Sequence, residues 1–543
     1  MTFADGACEA RWPELSSGSE EDGLYYRSQS LKLGFTMSDT NTIIDLLKIG
    51  KDEAVAITGP GRKPLTYSDL RRQVTNTVSR LNELGVGRND TVAIVLPNGP
   101  EMAVAFTAIA TGATTAPLNP AYREEELQFY MSDLKVRLLV VEEGSDTPAR
   151  SVAKELKIPV AQLRRSPDGA SIHFDLVGDP VREGPRLGGF AQADDIALVL
   201  HTSGTTARPK MVPLSQHNIS ASVQNIVKIL SLLPEDRCLN IMPLFHIHGL
   251  IAAVLGSLAS GSSVFCTQGF NALKFFSWMK EANPSWYTAV PTMHQAILSR
   301  ASRNRETIDS VQLRFLRSSS AALPTQVMKE LEKTFNAPLI EAYGMTEAAH
   351  QMASNPLPQR VRKPGTVGIP TGVEISIMDK SGRHLSPGSI GEVVIRGPSV
   401  TTGYQNNSDA NAKAFSDGWF RTGDQGVIDD DGYLRLTGRL KEIINRGGEK
   451  ISPQEVDEVL MTHPAVVQAV TFAVPHDKLG EEVAAALVLR EGTTTTEVEI
   501  RDFASHRLAD FKVPRRMIFL DEIPKGPTGK IQRISLANKL GLT

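Results

Sequence analysis

The chain of 543 residues is too long for one hydrophobic core, so several domains or subdomains are expected. Its content of 41% hydrophobic and 22% charged residues is that of an ordinary globular protein, and a formal net charge of −3 gives no electrostatic reason to bind nucleic acid or an anionic membrane. The cysteines Cys8, Cys238 and Cys266 stand far apart, which argues against a disulfide framework or a zinc site.

The first 36 residues are polar and acidic, as in the stretch "SSGSEEDG", and they are predicted to form a disordered tail (1–36). They lack the basic start and the apolar stretch of a signal peptide. No apolar run elsewhere is long enough to span a bilayer. We therefore expect a cytoplasmic protein with neither a nucleic-acid nor a membrane partner, and a homodimer is kept open.

Helical patterns alternate with short apolar runs from residue 41 to about residue 190. The stretch "TYSDLRRQVTNTVSRLNELGV" (66–86) has the apolar spacing of an amphipathic helix with a glycine stop. The stretch "DTVAIVLPNG" (90–99) predicts a buried strand, and "MAVAFTAIATGATTAPLN" (102–119) predicts a buried helix followed by a strand. This alternation indicates α/β layers with largely parallel sheets.

The same alternation resumes after Asp194. The strand "IALVLHT" (196–202) leads into a hydroxyl-rich loop and then a helix near residues 217–230. Further strands are predicted in "SSVFCTQ", "SWYTAV", "LRFLRSSSAA" and "APLIEAYG", each of which ends in a turn with polar groups. Because ligands of open α/β sheets bind beyond the carboxyl ends of the strands, the site is expected at these turns.

The period of the apolar residues changes to two after Gly372. The runs "VEISIMD", "GEVVIRG" and "GYLRLTGR" predict a smaller antiparallel β unit. The last hundred or so residues read as a compact piece of strands and helices. We therefore predict an α/β fold with a large N-terminal domain (37–438) of layered α/β subdomains plus a β subdomain, followed by a small mobile C-terminal α+β domain (439–543).

The loop after the strand 196–202 has the composition of an anion-binding turn. Hydroxyls come from Ser203, Thr205 and Thr206, Gly204 permits close approach of the backbone, and Arg208 and Lys210 supply positive charge. The loop is not the common P-loop, because no second glycine precedes Lys210. Taken alone, a loop of this composition is usually a polar surface turn.

Seven motifs then stand in one order along the chain: "HTSGTTARPK", "PLFHIHG", "SSSAALP", "EAYGMTEAA", "GWFRTGD", "GYLRLTGRLKEIINRGGEKI" and "PKGPTGK". Together they resemble the acyl-adenylate-forming superfamily, which includes acyl-CoA synthetases, adenylation domains of nonribosomal peptide synthesis and luciferases. The resemblance extends from about residue 41 to the end. It implies a ligase that uses ATP, Mg²⁺ and coenzyme A in two steps, adenylation of a carboxylate and then thioester formation.

The resemblance assigns the nucleotide site residue by residue. It implies that the loop grips the β- and γ-phosphates, that Thr346 contacts the α-phosphate, and that Glu347 binds Mg²⁺. The full implied set for ATP is Thr202, Ser203, Gly204, Thr205, Thr206, Lys210, Ser320, Ala321, Ala322, Glu341, Ala342, Tyr343, Thr346, Asp424 and Arg439. In it, Tyr343 stacks on adenine, a role that suits a flat ring, and Asp424 holds the ribose hydroxyls.

The resemblance also implies how the two steps are separated. Lys530 corresponds to the adenylation lysine, Lys441 lies at the hinge, and the C-terminal domain rotates to bring Gly447 and Gly448 to the pantetheine tunnel. Without the resemblance, plainer interpretations stay open: a solvated turn acid for Asp424, a helix cap for Glu347, a core aromatic for Tyr343, and surface charges for Lys441 and Lys530.

The acid is predicted from the polarity of the pocket that the motifs form. Histidines stand where apolar residues are usual for fatty or aromatic acids: His246, His248, His294 and His350, together with Ser319. The resemblance gives His246 a further role as a gate between the acyl and CoA tunnels, which places it with Lys530, Thr346 and Glu347 as catalytic. A polar pocket favours a small, polar or doubly charged acid.

The extended motifs "EAYGMTEAAHQMASNPLP" and "NRGGEKISP" resemble the oxalate–CoA ligases of plants and fungi, although Gly344 and Met211 depart from that group. The predicted function is therefore ATP-dependent ligation of oxalate to coenzyme A. Alternatives are a CoA ligase for malonate, a short fatty acid or a coumarate-like acid, an enzyme that loads a carrier protein, a luciferase-like oxygenase, and a nucleotide-binding protein without ligase activity.

Overall fold

The computed structural model describes residues 40–181, 184–185, 187–202, 209–526 and 531–542. Three sequence predictions lie outside these ranges: the tail 1–36, the loop residues Ser203, Gly204, Thr205 and Thr206, and the adenylation lysine Lys530. In the described part of the chain, no helix combines the length and apolar character needed to cross a membrane.

The first elements form the edge of the largest sheet. A short helix, Ile43–Leu46, precedes the strands β1 (Val55–Thr58) and β2 (Leu65–Thr66). The predicted amphipathic helix follows as Tyr67–Glu83, and Thr66 caps its start by accepting a hydrogen bond from the backbone N–H of Asp69 at 3.2 Å. The helix ends where Gly85 adopts a positive φ, as the sequence predicts.

A seven-stranded sheet comes next, in the strand order β7-β6-β5-β3-β4-β8-β9. Its core is parallel, and only the edge pairs β6–β7 and β8–β9 are antiparallel. Its strands are β3 Thr91–Val95, β4 Thr114–Pro117, β5 Leu138–Glu142, β6 Val160–Arg165, β7 Phe174–Val177, β8 Ile196–Thr202 and β9 Lys210–Ser215, and its helices are Pro100–Ala110, Glu124–Asp133 and Pro148–Glu155.

The chain then returns to β1 and β2 and completes a nine-stranded sheet in the order β16-β15-β14-β13-β12-β10-β11-β1-β2. Its added strands are β10 Arg237–Asn240, β11 Ser263–Cys266, β12 Trp286–Ala289, β13 Phe315–Ser318, β14 Leu339–Met345, β15 His350–Ser354 and β16 Ile369–Pro370. The accompanying helices are Gln216–Ile229, the π-helix His248–Leu255, Gly256–Ala259, Phe275–Ala282, Pro291–Ala301, Arg305–Ser310 and Thr325–Phe335.

The two large sheets share one apolar core, to which both contribute buried strand residues such as Val92 and Trp286. Parallel strands that are covered on both faces are apolar along their length. The exceptions lie at the carboxyl ends, where Asn240, Thr288 and Arg317 are neighbours across β10, β12 and β13. A buried row of polar side chains therefore marks the end of the nine-stranded sheet at which a ligand is expected.

The antiparallel unit predicted from the period of two is a five-stranded sheet with helix Ser408–Ala414 beside it. Its register places Asp424 opposite Arg439. Its strands are β17 Glu374–Met378, β18 Gly391–Arg396, β19 Phe415–Ser416, β20 Trp419–Ile428 and β21 Leu434–Arg439.

The last segment forms a separate five-stranded sheet. Its elements are β22 Ile444–Arg446, β23 Glu449–Ile451, helix Pro453–Met461, β24 Val466–His476, β25 Gly480–Leu489, helix Glu497–Ser505, β26 Arg516–Phe519 and helix Leu536–Lys539. The predicted fold class is confirmed. The boundary between Gly438 and Arg439, and the mobility of the C-terminal domain, stay predictions.

Candidate active site

A buried guanidinium lies at the centre of the predicted acid pocket. Arg317, at the carboxyl end of β13, has no exposed surface. Its Nη1 donates to His248 Nε2 at 3.1 Å and to Thr288 Oγ1 at 3.3 Å, while its Nη2 donates to His350 Nε2 at 3.1 Å and to Gln351 Oε1 at 3.0 Å. All four acceptors are neutral groups, and no carboxylate of the described residues pairs with Arg317.

Burial lowers the pKa of Arg317 to about 10, so the side chain still carries a positive charge near neutral pH. Removing such a charge from water without a counter-ion costs several kcal/mol, by order of magnitude. Its Nε also has no hydrogen-bond partner among the described residues. An anionic ligand would compensate the charge and accept from this donor.

Two of the predicted histidines form one wall of this pocket. His248 begins the π-helix and His350 begins β15, and their rings stack with centroids 4.9 Å apart. Since a guanidinium can only donate, the Nε2 atom of each ring must act as an acceptor toward Arg317. His248 is fixed further by Ser320 Oγ, 3.1 Å from its Nδ1.

Gly344 explains how His350 reaches this position. A Cβ atom at Gly344 would lie 1.7 Å from the carbonyl oxygen of His350, so only glycine allows β14 and β15 this close approach. His350 itself has a φ of 95°, in the left-handed region that non-glycine residues rarely adopt. The departure from the oxalate–CoA ligase group noted at Gly344 therefore has a local structural consequence, which is the path of β15.

The other two predicted histidines lie differently. His294 is fully buried, its Nδ1 is 3.3 Å from the hydroxyl of Tyr287, and its Nε2 is 3.2 Å from the backbone oxygen of Arg317. Burial lowers the pKa of His294 to about 4, so the ring is neutral, and these contacts favour a structural role. His246 is half-buried, and its Nδ1 accepts from the backbone N–H of His248 at 3.3 Å.

Two buried hydroxyls lie beside Arg317 in the sequence. Ser318 and Ser319 are 2% and 1% exposed, and neither Oγ has a hydrogen-bond partner within the described ranges. Buried hydroxyls normally find a partner in a folded protein. These hydroxyls and Arg317 Nε are therefore three buried donors at the end of β13 without a partner in the described ranges.

The predicted nucleoside contacts are brought together between β14 and the antiparallel unit. Tyr343 is buried, and its hydroxyl donates to Asp424 Oδ2. Arg439 Nε donates to Asp424 Oδ1 at 2.9 Å, and this carboxylate raises the pKa of Arg439. A carboxylate has about four lone-pair positions, so Asp424 can still accept hydrogen bonds from a ribose diol.

The remaining predicted adenine contacts follow β13 or lie in β14. Ser320 has a φ of 76°, and Ala321 and Ala322 after it are exposed or at the surface edge of the buried strand. Glu341 and Ala342 are buried in β14, and burial raises the pKa of Glu341 to about 7. Ala321 and Ala322 are thus accessible from solvent, whereas Glu341 and Ala342 are buried.

The phosphate side is built on the β8–β9 hairpin. Thr202 and Lys210 are partners in its register, and they flank the predicted phosphate-binding residues, which lie outside the described ranges. The Lys210 ammonium lies 4.3 Å from the ring centroid of Tyr404, and the Tyr404 hydroxyl donates to Glu347 Oε1 at 2.9 Å. Burial lowers the pKa of Lys210, and it raises the pKa of Glu347.

The predicted hinge residue Lys441 and the glycine turn lie at the start of the C-terminal segment. Lys441 is exposed and close enough to influence Lys210 electrostatically. Gly447 and Gly448, with φ values of 59° and 100°, form the exposed turn between β22 and β23. A Cβ atom on Gly448 would meet no other atom within 4 Å, so the backbone conformation alone favours glycine there.

Comparison with known proteins places this geometry in a family. The family model for the AMP-binding enzyme matches residues 50–405, and that for the AMP-binding enzyme C-terminal domain matches residues 455–530. The chain belongs to the AMP-binding enzyme family. The resemblance read from the seven motifs is thereby confirmed.

Individual AMP-binding enzymes are similar over nearly the whole chain. The oxalate–CoA ligase of Arabidopsis thaliana is 45% identical over 91% of this chain and 98% of its own. The oxalate–CoA ligase of Saccharomyces cerevisiae is 42% identical over 87% of this chain and 92% of its own. The crystal structure of ATP-bound MatB from Rhodopseudomonas palustris superposes with a TM-score of 0.81 at 28% identity, covering 92% of this chain and 98% of MatB.

Sequence reasoning about this AMP-binding enzyme missed two residues of the site. Arg317 was hidden in the stretch "LRFLR", which also contains Arg314, and Tyr404 stood outside the motifs that were assigned a role. Arg317 was detectable as a charge in an otherwise apolar run at the end of a buried strand, a position where only a partnered or functional charge is expected. Tyr404 had no comparable signal, since its role depends on contacts with distant residues.

Proposed function

We propose that this AMP-binding enzyme is an ATP-dependent acid–CoA ligase that converts oxalate, ATP and coenzyme A to oxalyl-CoA, AMP and pyrophosphate. Similarity to two oxalate–CoA ligases supports this proposal. The observation that carries it is the buried charge of Arg317, which is surrounded by neutral acceptors and lacks a carboxylate partner among the described residues.

The charge of Arg317 selects for an acid with a second anionic group. One carboxylate of oxalate reacts at the α-phosphorus. The second carboxylate is bonded directly to the first, so the same small pocket must hold both. A fatty or aromatic acid would place apolar atoms against a desolvated guanidinium and leave the charge uncompensated, which is costly. The neutral imidazoles of His248 and His350 orient the guanidinium, and Ser319 offers a further hydroxyl.

The adenylation step joins two groups that repel each other, a carboxylate and a triphosphate. In the proposed complex Tyr343 covers adenine, Asp424 accepts the ribose hydroxyls, and Arg439 holds Asp424 in place. The Thr346 hydroxyl donates a hydrogen bond to the α-phosphate, and the Lys210 ammonium offsets the negative charge of the departing pyrophosphate. Lys530, predicted to complete this step, lies outside the described residues.

The residues around Glu347 fit the Mg²⁺ that the family resemblance implies. Carboxylate and hydroxyl oxygens are the ligands Mg²⁺ prefers, and it commonly takes only one or two protein carboxylates beside the phosphates of the nucleotide. Accordingly, no cluster of three or more acidic, histidine or cysteine ligands is found in the described segments. When bound, Mg²⁺ would neutralise charge on the phosphates.

The thioester step requires a path for pantetheine to the acyl-adenylate. We assign this path to the turn at Gly447 and Gly448, after rotation at Lys441, with His246 as the gate beside the acid pocket. The cytoplasmic location and the homodimer stay predictions.

The Gly448→Val variant is expected to lose oxalyl-CoA formation by about tenfold or more, because a branched side chain at φ 100° costs about 1–3 kcal/mol and narrows the pantetheine path. The rate of adenylation should change by less than about threefold. It is measured as oxalyl hydroxamate formed with hydroxylamine in place of CoA. The matched control is Gly492→Val, at a φ of 79°, where an added Cβ atom would also meet no other atom within 4 Å. Equal losses in both steps, or in both variants, would count against the assigned path.

The proposed function is tested by pyrophosphate release with Mg-ATP and CoA across oxalate, malonate, acetate, octanoate and 4-coumarate. Each positive reaction is checked by mass spectrometry for the CoA thioester. Oxalyl-CoA as the main product is the expected result. Preference for octanoate or 4-coumarate would overturn the role of Arg317, and preference for malonate would keep that role but change the acid.

A further inference from the structure

The segment 401–405 connects the two charged parts of the phosphate site. The backbone N–H of Thr401 donates to the carbonyl oxygen of Glu347 at 2.7 Å, and the backbone N–H of Gln405 donates to that of Met211 at 3.0 Å. Met211 directly follows Lys210 in β9. The segment is thus hydrogen-bonded at one end to the predicted metal ligand and at the other end to the strand of the phosphate-binding lysine.

Tyr404 is the side chain of this segment that touches both charged groups. Its hydroxyl donates to Glu347 Oε1 at 2.9 Å, and its ring face carries the Lys210 ammonium 4.3 Å from the centroid. Tyr404 is 7% exposed, and Asn411 fixes its backbone by accepting from its N–H at 2.7 Å and donating to its carbonyl oxygen at 2.9 Å.

The arrangement keeps two opposite charges near each other without letting them meet. Within the part of the chain that the structure describes, Lys210 and Glu347 form no ion pair. They still interact electrostatically, since Glu347 acts to raise the pKa of Lys210 and Lys210 acts to lower the pKa of Glu347. A direct ion pair would occupy the carboxylate needed for a metal ion and the ammonium needed for a phosphate. The aromatic face instead holds the ammonium by a cation–π contact, which is weak enough for a phosphate to replace.

We propose that Tyr404 is a positioning residue for ATP binding, which orients the Glu347 carboxylate through its hydroxyl and spaces Lys210 from Glu347 through its ring. This inference rests on the proposed function, because it assumes that Mg-ATP binds at Glu347 and Lys210. The hydroxyl and the ring have separate effects. The hydroxyl governs the gain in affinity from Mg²⁺, and the ring governs the affinity for the triphosphate itself.

The test is isothermal titration of the full chain with ATP, without acid or CoA, at zero and at saturating Mg²⁺. Tyr404→Phe keeps the ring and removes the hydroxyl, and Tyr404→Leu removes both. The matched control is Tyr433→Phe, because Tyr433 also carries a lysine ammonium over its ring, that of Lys363 at 4.6 Å, and donates its hydroxyl to a backbone oxygen away from Glu347. Thermal unfolding of each variant checks that it is folded.

Tyr404→Phe is expected to bind ATP without Mg²⁺ as the unmodified chain does, but to lose about tenfold or more of the affinity gained from Mg²⁺, as is usual when the partner of a metal-binding carboxylate is removed. Tyr404→Leu should in addition bind ATP more weakly without Mg²⁺, because Lys210 can then pair with Glu347. An unchanged gain from Mg²⁺ in Tyr404→Phe, or an equal loss in Tyr433→Phe, would overturn the inference. Failure of the unmodified chain to bind Mg-ATP would instead overturn the proposed function.

Discussion

Replacing Arg317 by methionine is expected to lower kcat/KM for oxalate by roughly 10²- to 10⁴-fold. Removing one partner of a buried charge pair costs about 3–5 kcal/mol, and each 1.36 kcal/mol is about tenfold in rate. The loss should fall on oxalate and malonate and spare acetate, because a monocarboxylate has no second anion for Arg317 to bind. The measurement is steady-state pyrophosphate release with each acid at saturating Mg-ATP.

The same variant should remain folded, which separates function from stability. Methionine removes a buried charge whose desolvation costs several kcal/mol, and it also removes four hydrogen bonds from a charged donor, worth about 1.5–3 kcal/mol each. Since these effects oppose each other, the net change in the free energy of unfolding in urea should be smaller than either of them, and the unfolding transition should stay cooperative.

Arg317→Lys provides the control for charge alone, because it keeps a point charge and loses the planar fork. Its loss of oxalate activity should be smaller than that of Arg317→Met. If Arg317→Met stays folded and its kcat/KM for oxalate is within about threefold of the unmodified chain, the guanidinium does not bind the second carboxylate.

Asp424→Asn is expected to lower kcat/KM for ATP by roughly 10²- to 10⁴-fold, since hydrogen bonds to a charged acceptor contribute about 1.5–3 kcal/mol each and the ribose offers two. The amide NH₂ group cannot accept a hydrogen bond, so one of the two donors to Asp424, the Tyr343 hydroxyl or Arg439 Nε, would also lose its acceptor. The KM for oxalate should change little.

The role of Asp424 is tested by comparing kcat/KM for ATP with kcat/KM for a nucleotide that lacks the ribose hydroxyls. The unmodified chain should strongly prefer ATP over 2′,3′-dideoxy-ATP, and Asp424→Asn should nearly lose this preference. Asp431→Asn is the matched control, because it removes an exposed acid from the same stretch. A preference for ATP that survives in Asp424→Asn would show that the ribose is held elsewhere and would favour a structural role for this carboxylate.

The order and type of the main elements could be predicted because their apolar periods are local. The helix Tyr67–Glu83 and the strand Thr91–Val95 follow from spacing and from their glycine stops. The antiparallel unit follows in the same way, since its outer face is polar and gives a clean period of two. The sheet order was not predictable from such local patterns, because β1 pairs with β11, a strand well over a hundred residues later in the chain.

Only those residues of the candidate site that belong to one of the sequence motifs could be predicted. Arg314 and Arg317 have almost the same neighbours in the sequence, yet Arg314 pairs with Asp236 and is partly exposed, whereas Arg317 is fully buried. The difference arises from partners 69 and 33 residues away, His248 and His350, which no local pattern reveals. The acyl role of His294 stays a prediction, and its contacts with Tyr287 and a backbone oxygen explain how a buried histidine can be satisfied without a ligand.

The β14–β15 hairpin places residues of the predicted nucleoside, phosphate and acid contacts within nine residues, 343–351. Tyr343 at one end is hydrogen-bonded to Asp424, and Gln351 at the other end is hydrogen-bonded to Arg317. Thr346 and Glu347 lie at its tip, only a few residues before His350. In the proposed complex, this one short stretch of backbone sets the distance between the α-phosphate contact expected of Thr346 and the wall of the acid pocket at His350. A chain that accepts a longer acid would then need a different hairpin, and the same change would alter its contacts with the nucleotide.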